Sequence, residues 1–449
     1  MTCSVTEGLA DAILEASRAP LPLGVLAAAE RTLLNVLGAT IAGSQSAAVD
    51  AIIAAGGRPA DTDLHLVPGR AEQVDALTAA TAIGTAAHLH DVDNSHARTW
   101  IQPGASTLGA VWTAGRRTGA SGEQVLRAFA LGIEAQLRVG NAISPWHLED
   151  GWHTTGTCGP IGAAVAAGLL LDLDTLGLRQ AIGLAASQSL GIRAGSGTLM
   201  RPFHAGKAAA NGLLAAVLVD EGFTASHSVL EAPRGFFAVM SPNGSDASLV
   251  LDGLGTRWEL EDNLPKPYPC DAASHAAIHA AISLSSRVPE HSAIRTIVAR
   301  VHPLVLELTG ESQPMDGQQA RSSTAHGIAV GLLDGEAGLT QYEDVRVSSE
   351  DVQAVRRLVA LEGDASCSRD SAMLTVELVT GRRLTARVEH GRAGRMPLLP
   401  EEPRDRSMRM IEPVLPDGAT HVLGALQTLG EAPNLEALAD ACTPATVNT

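Results

Sequence analysis

The stretch from His88 to Gly104, HLHDVDNSHARTWIQPG, packs three histidines, two aspartates and an arginine between Ala-rich apolar segments. Side chains of these types hold metals, move protons and bind anions. Three further polar interruptions carry similar residues. Ser144 to Pro160 (SPWHLEDGWHTTGTCGP) contains His147, His153 and Cys158; Gly191 to Gly212 contains Arg201 and His204; Asp262 to Asp271 (DNLPKPYPCD) contains Lys266.

His88, His90, Asp91, Asp93 and His96 have the chemistry of metal ligands. Residues two apart on a helix face different directions, however, and no second histidine cluster closes a set at a recognised spacing, so chemistry without a metal is expected. The plain alternative is a polar helix end whose histidines and aspartates satisfy one another. Cys158 near His153 could form a nucleophile pair, or be a core cysteine at the foot of an apolar helix. The Gly191–Gly197 run lacks the GxxxxGK pattern and no strand precedes it, so it reads as a connection rather than a phosphate loop. What remains is Asp91, His96, Arg98, His153, Arg201, His204 and Lys266, each in a loop or at a helix end. Singly each is an ordinary surface or capping residue. Together they make a cationic pocket with acid and base groups, suited to removing a proton next to a carboxylate of a polycarboxylate.

The elements that must position these groups are mostly helices. Across 449 residues, 45% are hydrophobic but only 3% aromatic, so the core is built from Ala, Leu, Val and Ile, which favours closely packed helices. The length implies two domains. A formal charge of −17 argues against nucleic acid or an anionic membrane as partner. Five scattered cysteines without CxxC spacing fit a reduced, cytoplasmic protein. No basic segment followed by an apolar run opens the chain, and the longest apolar stretch, around Ile161 to Leu173, is too short to cross a bilayer.

In chain order, Gly8 to Ala55 reads as three helices broken at Pro20/Pro22 and at Gly43-Ser44. Small-residue helices alternate with polar loops as far as Asp220, and SGEQ offers a capping box with Ser121 and Gln124. The Pro-rich segment at Asp262 to Asp271 marks a boundary. Beyond it, Ile294 to Leu308 reads as a strand pair, Met373 to Val379 and Arg383 to Val388 as a hairpin around Thr380-Gly381, and Gln318 to Leu333 and Glu350 to Leu361 as helices. The expected architecture is mainly α: a helical domain over 1–265, a smaller α+β unit over 266–398, and helices over 399–449 that pack back on the first domain.

Four motifs in order carry a resemblance to the 2-methylcitrate dehydratase (MmgE/PrpD) family, which includes cis-aconitate decarboxylase and iminodisuccinate epimerase. HDVDNSH at His90 to His96 resembles its D-F-D-D-T-H segment, and GWHTTGTCG at Gly151 to Gly159 its G-W-H-x-T-G-T-x-G. RPFHAGKAAANG at Arg201 to Gly212 resembles K-x-x-H-x-G-x-A-A-x-x-G, and KPYPC with His275 resembles K-x-Y-P-x-C followed by His, the Cys falling one position early. The resemblance implies a helical domain, an α+β lid, a homodimer and a cofactor-free site between the domains. It implies Asp91 and His153 as site residues, Lys266 as cation or proton donor, and Ser95 where the family often has Thr. Three departures stand out: Gln102 replaces a family His, Arg201 a Lys, and His326 a Tyr. Gln cannot titrate and Arg cannot deprotonate at working pH, so the site keeps its anion-binding character with a changed acid–base set.

These readings converge on a lyase that dehydrates a hydroxy-polycarboxylate, with epimerase and decarboxylase as alternatives and a non-catalytic homologue from a different class. Asp91, His96, His153, Lys266 and His326 are the candidates for proton transfer; Ser95, Arg98, Gln102, Arg201 and His204 are the candidates for substrate binding.

Overall fold

A computed structural model describes residues 4–56, 64–288, 290–391 and 402–444. The expected division between residues 398 and 399, and part of the expected loop from Arg58 to Arg70, lie outside them.

The first three helices are Val5–Arg18, Leu23–Gly43 and Ala47–Gly56, broken where the prolines and Gly43-Ser44 fall. Leu23–Gly43 has the length and mean hydropathy of a membrane span, a candidate that a search for uninterrupted apolar runs passes over because Glu30, Arg31 and Asn35 break it. Val25, Leu33, Val36, Leu37 and Ile41 of this helix are packed into the core.

The body of the molecule is the stack of Ala76–Leu89, Pro103–Thr118, Gly122–Ile143, Thr154–Leu170 and Met200–Asp220. Small residues let these helices approach closely. A methyl group on Gly84 would lie 2.8 Å from the Gly206 Cα, so the backbones of Ala76–Leu89 and Met200–Asp220 touch at a point that no side chain could enter. Such contacts account for the near absence of aromatic residues. The capping box is formed: the Gln124 amide donates to Ser121 Oγ (3.3 Å) and Ser121 N–H to Gln124 Oε1 (2.8 Å).

The second unit is built on a four-stranded sheet with spatial order Val359–Gly363, Ile294–Val301, Ala372–Leu378, Arg383–Val388. Ile294–Val301 runs parallel to the first of these and antiparallel to Ala372–Leu378. The expected hairpin is present, with Thr375 opposite Thr385 and Gly381 at φ 81° in the turn. His275–Ser285 and Thr324–Leu333 pack on this sheet.

Two expectations are corrected. Ile294 to Leu308 is one strand followed by the helix Pro303–Thr309, not a strand pair. Pro303 cannot donate to a ladder, and His302 caps the new helix by accepting from Leu304 N–H at 3.1 Å. Likewise Glu350 to Leu361 divides into the helix Glu350–Arg356 and the strand Val359–Gly363, whose β-branched and apolar residues find a sheet edge. Finally, Pro403–Ile411 and Ala419–Gln427 return to the first unit, where Ile411, Leu415 and Val422 share a core with Leu9, Leu37 and Leu131.

Candidate active site

The helix Ala76–Leu89 starts on Asp75, whose carboxylate accepts from Leu77 and Thr78 N–H at 3.0 Å each, and it ends in a tight reversal. Asp91 in that reversal has φ 54°, a left-handed conformation costing a side-chain-bearing residue about 1 kcal/mol. The next residues form the short strand Ser95–His96, which pairs antiparallel with Asn263–Leu264. That pairing, between segments far apart in sequence, lays Lys266 alongside the polar stretch.

The Asp91 carboxylate is the node of the site. Its Oδ1 accepts from Gln102 Nε2 at 2.7 Å and from the Lys266 ammonium; its Oδ2 accepts from an Arg201 guanidinium nitrogen at 2.9 Å. Arg201 also reaches the Asp271 carboxylate at 3.3 Å. Burial alone would raise the Asp91 pKa, but Arg201, Lys266 and His88 more than reverse it and hold the carboxyl far below the usual carboxylate range. Burial likewise acts to lower Arg201, and the facing carboxylates Asp91 and Asp271 override it and raise its pKa.

Across the site, Trp152 bridges to Ile192 and the His153 N–H donates to Gly191 O at 3.0 Å, tying the second polar stretch to the Gly-rich loop. His153 Nδ1 and His204 Nδ1 are 3.2 Å apart, so one ring donates and the other accepts. The His88 ring centroid is 5.6 Å from that of His153, and His88 Nδ1 bonds Asp93 at 3.0 Å. Burial and the neighbouring His88, Arg201 and His204 push His153 well below 6.5, and burial brings His204 down to about 4. His153 Nε2 is shielded from solvent and has no hydrogen-bond partner among the described residues.

Several of these groups border a partly open cleft of about 40 Å³, lined among others by Ser95, Gln102, His153 and Arg201 from the helical unit and by Asp271 and Leu308 from the second unit. Trp100, Leu148 and Trp152 make an apolar wall.

Six expected residues are not part of the cleft lining: Asp91 and His204 contact residues that are, Lys266 contacts Asp91, and His96, Arg98 and His326 are engaged elsewhere. His96 is adjacent to Ser95 in a strand, where successive side chains point to opposite faces; its Nδ1 meets Thr99 Oγ1 at 2.9 Å and its Nε2 lies 3.3 Å from Glu259. Arg98 is half exposed and 3.7 Å from the same Glu259. His326 bonds Gln341 O at 2.9 Å and packs edge-on against Tyr342; burial lowers it to about 4. Lys266 reaches the site through Asp91 rather than through the cleft lining. Cys158 is buried among apolar groups and its thiol is pushed up to about 12, the wrong direction for a nucleophile.

Sequence reasoning set His88 aside as structural and passed over Asp271 and Arg193. His88 is on the last turn of the Ala76–Leu89 helix, three residues before Asp91 in the reversal that follows, and its closeness in sequence to the polar stretch was the available signal. His88, Asp91 and Asp93 can bring one ligand atom each within 4.8 Å of one another. Both Asp91 oxygens are already engaged by two cations and an amide, so this donor set fits a metal ion poorly.

A helical body with an α+β unit, a carboxylate held by two cations and an imidazole pair beside a cleft is the arrangement of an enzyme site. The chain belongs to the MmgE/PrpD family: the family's N-terminal domain matches residues 7–248 and its C-terminal domain residues 268–428. A cis-aconitate decarboxylase of Aspergillus terreus is 26% identical over 352 residues, 72% of each chain. A second, from Aspergillus terreus strain NIH 2624 / FGSC A1156, is 27% identical over 300 residues, 62% of this chain and 61% of that one. The human cis-aconitate decarboxylase is 26% identical over 386 residues, 81% of this chain and 77% of that one. Family and relatives together indicate an enzyme of lyase type.

Proposed function

We propose that this enzyme dehydrates a hydroxy-polycarboxylate, with His153 as the base that removes a proton next to a carboxylate. The observation that carries this is the state of His153: burial and nearby cations keep the imidazole neutral, the residue lines the cleft, and its Nε2 has no hydrogen-bond partner among the described residues. In the base form His153 donates from Nδ1 to His204 Nδ1, which leaves the Nε2 lone pair for the substrate. The electron pair released by C–H cleavage delocalises into the adjacent carboxylate as an enediolate, with Arg201 supplying the facing positive charge. Collapse of the enediolate forms the alkene and expels the hydroxyl, which leaves as water once it takes up a proton. Asp91 is engaged by three donors and is unsuited to a proton-transfer role; it fixes Arg201, Lys266 and Gln102 in place.

A second reading, decarboxylation, is favoured by the similarity to cis-aconitate decarboxylases. It requires His153 to enter the reaction protonated, which the carboxylates of a bound substrate would promote. Epimerisation needs acid–base groups on two faces of one carbon, and the described cleft offers an imidazole on one.

Incubation with a panel of hydroxy-, amino- and unsaturated polycarboxylates in deuterated buffer, read by NMR, separates these outcomes. Formation of an alkene supports dehydration. Carbon dioxide release with deuterium at the vacated carbon replaces it with decarboxylation, and deuterium entry with inversion and no alkene replaces it with epimerisation.

A further inference from the structure

Two arginines line the cleft, and they are paired differently. Arg201 faces Asp91, which is buried, and Asp271. Arg193 is held from behind by neutral groups: its N–H donates to Gly151 O at 2.8 Å and its guanidinium to Leu148 O at 2.8 Å. Its one charged partner among the described residues is Glu307 of the second unit, 3.1 Å away, whose side chain is 59% exposed against 18% for Arg193. Such a pair adds little stability and exchanges readily.

We propose that Arg193 is the second carboxylate-binding group of the cleft and a determinant of substrate specificity, with Glu307 as the resident carboxylate that the substrate displaces. The inference rests on the polycarboxylate reading above. A guanidinium keeps its charge at every working pH and offers two parallel N–H donors to a carboxylate. The lining also combines the apolar Trp100, Leu148, Trp152 and Leu308 with the uncharged polar Ser95, Gln102, Thr154 and Ser196. The substrate class that fits has carboxylates at both ends and an uncharged carbon skeleton between them. Glu307 adjoins Leu308, which itself lines the cleft, so the charge it withdraws lies at the cleft margin.

The test is calorimetric binding of cis-aconitate to wild type, Arg193→Gln, Arg193→Lys and Glu307→Gln, with crotonate as a monocarboxylate control. Arg193→Gln is expected to weaken cis-aconitate binding roughly ten- to hundredfold and to leave crotonate unchanged. Arg193→Lys recovers part of the loss. Glu307→Gln is expected to tighten cis-aconitate binding about two- to fivefold, because it removes the competitor; a merely structural Arg193–Glu307 pair predicts no tightening. Glu307 is a surface residue, so this arm stands if Arg193→Gln fails to fold. If wild type binds and neither variant differs from it, the inference is overturned while the proposed function stands. Absence of cis-aconitate binding by wild type overturns the inference, while the panel in deuterated buffer decides the proposed function.

Discussion

Glu134 and Asp91 are both carboxylates sealed from solvent beside an arginine, and their surroundings differ in kind. Glu134 pairs with Arg138 one helical turn away at 2.6 Å and accepts from Leu260 N–H at 3.0 Å. Arg138 spends its remaining donors on the carbonyls of Val250, Asp252 and Arg257. The pair staples the 250–260 segment to the Gly122–Ile143 helix. Asp91 gathers partners from three separate segments, and two of them, Gln102 and Arg201, line the cleft. Burial dominates at Glu134 and raises its pKa; the convergence of cations dominates at Asp91 and lowers it. Buried ion pairing therefore does not mark a site. Two cations converging on one carboxylate next to a cleft that a neutral imidazole also lines do.

The sharpest way to break this comparison is through His153. His153→Ala is expected to lower kcat/KM by roughly 10² to 10⁴ with little change in Tm, as loss of a general base does; normal turnover by the folded variant would remove His153 from the mechanism. At the other pair, Arg138→Met leaves Glu134 without its counter-charge and is expected to cost about 3–5 kcal/mol in urea unfolding. The fraction that remains folded should turn over at the wild-type rate, and a lowered kcat there would dissolve the distinction between the two pairs.

The pH profile is the next, smaller effect. His153 is held below its ordinary value, so it is neutral at pH 7 and stays so on modest acidification. kcat/KM should be flat through the neutral range and fall tenfold per pH unit below an inflection that lies under 6.5; an inflection above 7 contradicts the assignment. The same linkage acts on stability. Asp91 is depressed in the folded state, so its contribution is present above the unfolded value of about 4 and is lost as pH falls through the folded one. Smallest is Ser121→Ala, which removes a cap far from either pair and should cost about 1 kcal/mol of stability with no kinetic effect. A kinetic effect there would mean that stability and turnover are not separable in this fold.

Helices were legible because small apolar residues recur at helical spacing between polar loops, and the hairpin because alternation flanks Thr380-Gly381. The strand at Val359–Gly363 was hidden, since a short apolar run after a helix reads as its continuation. At the site, the residue types were visible and their directions were not. Ser95 and His96 are neighbours in sequence, yet pairing with Asn263–Leu264 turns one to the cleft and the other to Glu259. Arg193 was hidden for a related reason: it stands in a Gly-rich loop whose course is set by a bridge to Trp152, a contact that no local pattern encodes.

Leu9 and Ile13 share one core with Ile411, Val422 and Leu438, and Arg406 from the Pro403–Ile411 helix donates to the Lys266 carbonyl. Helices about 400 residues apart in the sequence thus complete the same interior. A nascent chain ending before residue 403 carries Asp91, Arg201 and Lys266 but not the helix that steadies Lys266, and its Leu37 face is still open. Contacts spanning this much sequence are slow to form, so commitment to the native state should come after synthesis of the last helices, and chains cut short in that region should need chaperones more than their share of the sequence suggests.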